Sequence, residues 1–95
     1  MKVQYDQEAD ALYVTLEDGG MVAKTIRVDA GTLVDVDHLG RPVGIEIIRP
    51  ARPWPLERIL ERFQVRDEDR RLLEELQGEE PHRRPFVAPV QLVNA

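Results

Sequence analysis

From Lys2 to Ile48 apolar and polar residues alternate in short runs, and acidic turns punctuate them. Side chains of a strand point alternately to its two faces, so this period-two pattern specifies strands with one buried face. Five such runs are present. Lys2–Tyr5 sets Val3 and Tyr5 on one side, and Ala11–Glu17 sets Leu12, Val14 and Leu16 opposite Tyr13 and Thr15. Val22–Val28 groups Val22, Ile26 and Val28 against Thr25 and Arg27, and Leu33–Val36 and Val43–Ile48 complete the set. The connections Asp18-Gly19-Gly20, Asp29-Ala30-Gly31 and Asp37-His38-Leu39-Gly40 carry turn chemistry. Short links between successive strands favour antiparallel neighbours, so the expected sheet is a five-stranded antiparallel β-meander.

Parity registers the last hairpin. Val34 and Val36 share a face with Val43, Ile45 and Ile47 only if the loop has an even number of residues. With Asp37 to Gly40 as the loop, Val36 faces Arg41 and Val34 faces Val43, and Gly40 supplies the left-handed residue that closes the turn. Asp35, Asp37 and Glu46 then point outward, so Asp35→Asn should cost little whereas Val36→Asp should cost several kcal/mol (roughly 3 or more).

Pro50, Pro53 and Pro55 end the strand region. Beyond them Leu56, Ile59, Leu60 and Phe63 form a helical stripe, and Pro55 suits its first turn. A second apolar set, Leu72, Leu73 and Leu76, follows Asp67, read as an N-cap, and ends at Gly78. On one straight helix the two stripes would lie roughly 145° apart at about 100° per residue. Two helices broken near residues 65–67 are therefore expected. The fold class is α+β: a β domain over residues 1–50, a helical extension over 51–78 that packs on the sheet or on a partner subunit, and an extended tail over 79–95.

Three stretches also carry a family resemblance. Lys2-Val3-Gln4-Tyr5-Asp6-Gln7-Glu8-Ala9-Asp10-Ala11-Leu12-Tyr13-Val14, Gly31-Thr32-Leu33-Val34-Asp35-Val36-Asp37 and Gly40-Arg41-Pro42-Val43-Gly44-Ile45-Glu46-Ile47 resemble the bacterial and archaeal family called domain of unknown function 2283. The resemblance spans roughly residues 1 to 50 and implies a compact β-rich domain. It implies no activity and no catalytic residues.

Composition narrows function by exclusion. The 95 residues suffice for one domain with a modest core. A net charge of −5 opposes nucleic-acid binding, which needs a clustered positive field. With no cysteine and no serine, disulfides, thiolate chemistry and serine nucleophiles are ruled out. The N-terminus has no apolar core of a signal peptide, and no apolar run approaches a membrane span. A cytoplasmic protein without a cofactor is the expectation.

The residues open to chemistry have plain structural readings beside the functional ones. Asp6, Glu8 and Asp10, with Glu17 eleven residues after Asp6, echo a calcium loop. Ala11, however, holds the position where that loop requires glycine, so Asp6 is read as a turn cap and Ala9 and Leu12 as leaning on the core. Asp35, Asp37 and Glu46 could bind a cation or act as acid and base in a small metal-dependent hydrolase. As a solvated face they would instead have their charge offset by Arg27 and Arg41. His38 and His82 are too isolated for a zinc or triad role, and Trp54 is read as a core anchor at the strand-to-helix corner.

The favoured reading is a non-catalytic module that self-associates as a homo-oligomer or binds a protein partner, with no nucleic acid and no membrane. An antitoxin-like role is its sharper form. Leu72, Leu73 and Leu76, together with Phe86, Val87, Val90 and Leu92 of the tail, are the expected contact residues.

Overall fold

The protein is described by a computed structural model over residues 1–16 and 20–78. Five strands come first: β1 (Lys2–Asp6), β2 (Ala11–Thr15), β3 (Lys24–Asp29), β4 (Thr32–Val36) and β5 (Pro42–Ile48). Two helices follow, α1 (Leu56–Arg62) and α2 (Asp67–Gln77). Every strand pairing is antiparallel, in the order β1-β2-β5-β4-β3.

That order corrects the simple meander. β1–β2 is a hairpin and β3–β4–β5 is a meander, but β2 lies against β5 and not against β3. Thr15 pairs with Gly44 and Lys24 with Val36, so both strands meet the connection at one end of the sheet. The connection must pass β5 and β4, three inter-strand steps of about 4.8 Å. Residues 16–23 are ample for that distance at about 3.3 Å per residue. Strand β3 also begins later than the alternation suggests, which leaves Val22 outside it and exposed.

The local turns follow from their side chains. Asp6 Oδ1 accepts the N–H groups of Glu8 (3.0 Å) and Ala9 (3.3 Å), as expected of a turn cap, though Ala9 itself is exposed. Asp29 Oδ1 accepts the Gly31 N–H (2.9 Å), which tightens the two-residue β3–β4 loop. Gly40 has φ +79°, the left-handed geometry required to close the β4–β5 turn.

The hairpin register is two residues away from the parity expectation. Val34 pairs with Ile45, and a bulge then sets Val36 against Pro42, with Val43 as the extra residue. A shift of two preserves the faces, so Val34, Val36, Val43, Ile45 and Ile47 are all buried as expected.

The inner face of the sheet joins Val3, Leu12, Val14, Leu16, Val34 and Ile45 to the helices in one core. Leu56, Ile59 and Phe63 enter it from the α1 side, and Leu73 and Leu76 from α2. Each such aliphatic side chain gains roughly 1.5–3 kcal/mol on burial before its ordering entropy is subtracted. The break between the helices is real: Phe63 is extended at φ −121°, ψ 148°, and its N–H closes on the Ile59 carbonyl at 2.9 Å. It lets two stripes that would diverge on one helix face the same sheet. Arg66, and not Asp67, is the N-cap of α2, which places Asp67 in the first turn among favourable acids.

Trp54 is buried at the strand-to-helix corner, as read from the sequence. Its carbonyl accepts a hydrogen bond from Gln77 Nε2 at 2.6 Å, which ties the end of α2 to that corner. Among the described residues no helix is long and apolar enough to cross a membrane.

Candidate functional site

The helices cover one face of the sheet. On the other face, polar side chains from four strands converge. Tyr13 on β2 sends its hydroxyl across β5 to Asp35 Oδ2 on β4, at 2.7 Å. Thr25 on β3 donates its hydroxyl to the other carboxylate oxygen, Oδ1. Asp35 is thus an acceptor held from both sides, and the belt Tyr13–Asp35–Thr25 spans β2 to β3.

Gly44 makes the crossing possible. It faces Asp35 in the β4–β5 register, and a Cβ built there would overlap the Tyr13 hydroxyl and the adjacent ring carbon. An isolated glycine inside a strand is the sequence signal for such a close approach. The alternation identifies Tyr13 only as an outward residue, because the crossing depends on a strand order that the sequence does not specify.

The electrostatics favour the neutral phenol. Burial raises the Tyr13 pKa well above its ordinary value of 10.0, and the hydrogen bond to Asp35 and the charges of Asp35 and Glu46 raise it further. The group is therefore a hydrogen-bond donor at physiological pH, not a base or nucleophile. Tyr5 repeats the theme at the first turn. Its hydroxyl donates to Asp10 Oδ1 at 2.7 Å, and that bond, followed by desolvation and the nearby acids, raises its pKa.

The three carboxylates weighed as a catalytic or metal set have separate partners. Asp35 is held by Tyr13 and Thr25, so the expectation that Asp35→Asn costs little is revised: an amide cannot accept both bonds. Asp37 serves its own turn. It accepts the N–H groups of Leu39 and Arg41, each at 2.9 Å, and Arg41 Nε at 2.9 Å. The backbone hydrogen bond from Arg41 is the main cause of its lowered pKa; desolvation opposes the shift, and the Arg41 side chain and Leu39 N–H reinforce it. Glu46 faces Leu33 and Tyr13 across the sheet. Among the described residues no three His, Cys, Asp or Glu side chains gather as a metal site.

Of the expected contact residues, Leu73 and Leu76 are buried in the chain's own core and Leu72 is half-buried. Phe86, Val87, Val90 and Leu92 lie outside the described residues.

All five strands, and with them the whole belt on the open face, fall within the stretch matched by a protein-family model. That model is described as "Protein of unknown function (DUF2283)" and matches residues 2–49. The chain belongs to this family. The DUF2283 portion ends at Arg49, so both helices are additions to the matched sheet. No curated protein and no solved structure matches the chain.

Proposed function

We propose that this DUF2283 protein is a non-catalytic module that acts through protein–protein contact, first with a second copy of itself. The reading is carried by the apolar cluster at the open end of the sheet. Met21, Val22 and Leu39 are 81%, 52% and 66% exposed. Ala23 donates its N–H to the Val36 carbonyl at 2.8 Å, which draws the residues before β3 toward the turn that bears Leu39. Large apolar side chains gathered in water favour a covering surface.

The neighbouring strand supports the same reading. Among the described residues β3 has a ladder partner only on its β4 side, so its other edge can accept a further strand. Two copies of Lys-Thr-Ile-Arg-Val-Asp, paired antiparallel about a twofold axis, set the lysine of each against the aspartate of the other. Opposite charges across strands favour that register, whereas the bulge at Val28 limits its length.

The experiment is light scattering on the full chain and on a Met21→Asp, Leu39→Asp variant. The expected result is a dimer that becomes a monomer in the variant; a wild-type monomer at micromolar concentration would sink the reading. The tail belongs to the same proposal as an extended arm through Phe86, Val87, Val90 and Leu92. Deleting residues 85–95 lowers the oligomer mass if the arm crosses to the neighbour, and lowers only the melting temperature if it folds back. An antitoxin-like role is the finer form of this proposal, and its mark would be stoichiometric co-purification with a basic protein from the native lysate.

A further inference from the structure

On this acidic chain one corner is basic. Acids outnumber Lys and Arg by 18 to 13, so ion-pair partners are plentiful. Arg41, Arg66 and Arg70 each find one. Four other arginines gather at the β3–β4 turn and the start of the helical segment, and among the described residues none of them makes an ion pair. Arg27 Nη1 donates to the Ala30 carbonyl at 3.1 Å, and Arg58 Nη1 to the Val28 carbonyl at 3.3 Å. Arg49 and Arg52 line a hollow of about 480 Å³ beside that turn.

The hollow has an apolar side as well as a charged one. Ile48, Pro53 and Trp54 line it together with the two arginines. Asp29 is the acid in its wall, and one of its oxygens is already committed to the Gly31 N–H. The backbone that presents the arginines is held in an uncommon shape. Arg49 is left-handed at φ 56°, a conformation that side chains other than glycine, asparagine and aspartate seldom adopt. It is fixed by its N–H on the Asp10 carbonyl (2.7 Å) and by its carbonyl, which accepts the Arg52 N–H (2.9 Å). A strained residue that sets two unpaired guanidiniums at the rim of one hollow is a feature from which function is reasonably inferred.

We propose that this hollow binds an acidic peptide segment of a partner protein, in which carboxylates flank an apolar side chain. Arg49 and Arg52 take the carboxylates, since the planar guanidinium matches a carboxylate in paired hydrogen bonds. The apolar side chain lies against Ile48 and Trp54. A nucleic acid suits the site less well: its phosphates need a positive field along several repeats, and here the field is confined to one corner of a chain of net charge −5. The inference rests on the protein-binding reading and names the chemistry of the partner. Its surface is the end of the sheet opposite the Met21–Leu39 cluster, so the two are tested apart.

Trp54 is the sole tryptophan and lines the hollow, so its fluorescence reports on the site directly. The full chain is titrated with a blocked Asp-Glu-Leu-Glu-Asp peptide, with a lysine-for-acid version, with inorganic phosphate and with a short oligonucleotide. The acidic peptide is expected to give a saturable change in emission. Arg52→Gln should weaken it about tenfold or more, and Arg49→Asn, which tolerates the left-handed backbone, should act likewise. Circular dichroism shows whether each variant keeps its fold; if Arg49→Asn does not, Arg52→Gln alone decides. The proposal is overturned by no saturable change up to millimolar peptide, by equal affinity in Arg52→Gln, or by equal or tighter binding of the basic peptide, phosphate or oligonucleotide. Failure here with the dimer intact removes this site and leaves self-association standing.

Discussion

The Tyr13 hydroxyl reaches Asp35 across β5 at 2.7 Å, and the residue beneath the crossing, Gly44, has no side chain to obstruct it. A hydrogen bond between β2 and β4 thus bridges a strand that lies between them. It joins the hairpin half of the sheet to the meander half on the face that the helices leave open.

Gly44→Ala should be costly for a reason confined to this crossing. The new methyl expels the phenol, and overpacking of this kind costs about 1–3 kcal/mol before the lost hydrogen bond is added. In a Tyr13→Ala background the same substitution should cost at least about 1 kcal/mol less, since the obstruction is gone. Urea denaturation of the four proteins in the cycle measures the coupling, and additive costs would show that the two residues do not meet.

Tyr13→Phe keeps the ring and removes the donor, for an expected loss of about 1–2 kcal/mol. It should also change the alkaline limb of stability. The folded Tyr13 holds its proton above the ordinary pKa of 10.0, so its contribution is fully present below pH 10 and declines as pH rises beyond it, where the unfolded chain ionises first. The wild type should therefore lose stability above pH 10 more steeply than Tyr13→Phe. Tyr5, raised in the same direction, leaves a residual slope in both. Parallel curves would remove Tyr13 from the account.

At the acid end Asp37 contributes. Its pKa lies below the ordinary 3.8, so its contribution is present above that value and is lost as pH falls through the lower folded value. Asp37→Asn should flatten the acid limb of the melting curve below about pH 4. Superimposed acid titrations of the two proteins would contradict this.

Leu72 and Leu73 are adjacent but should respond very differently. Leu73 is completely buried, so Leu73→Ala should cost about 2–5 kcal/mol. Leu72 is only half-buried, and Leu72→Ala should stay within about 1 kcal/mol. Thermal melts decide it. Equal losses would mean that both side chains are covered to the same degree.

The buried faces of β1, β2, β4 and β5 were legible in the sequence because alternation survives errors of an even number of residues, whereas the face read for β3 includes Val22, which lies outside the strand. Val34 meets Ile45 and not Val43, yet both partners point inward. Strand order was not legible. A tight turn such as Ala30–Gly31 fixes its two strands as neighbours, but residues 16–23 can either turn back or cross the end of the sheet, and nothing in their composition separates the two outcomes. The belt on the open face was illegible for the same reason, since Tyr13 meets Asp35 only once β2 is placed beside β5. The helical leucines show a related limit: periodicity identified the stripe of Leu73 and Leu76, but whether one sheet face had room for both helices depended on the angle taken at residues 63–66.

The strand order also sets a schedule for a chain made from its N-terminus. The β1–β2 hairpin leaves the ribosome first, yet the edge of β2 that belongs to β5 stays open until Pro42–Ile48 has been synthesised. β3 and β4 can pair in the meantime, but they cannot shield the hairpin, because β5 must come between. The last sheet strand to emerge is thus the one that joins the two halves, and the helices that cover its inner face emerge later still. Until then the nascent chain carries two separate pieces of sheet, each with an apolar face toward water, and a second nascent copy offers the same open edges.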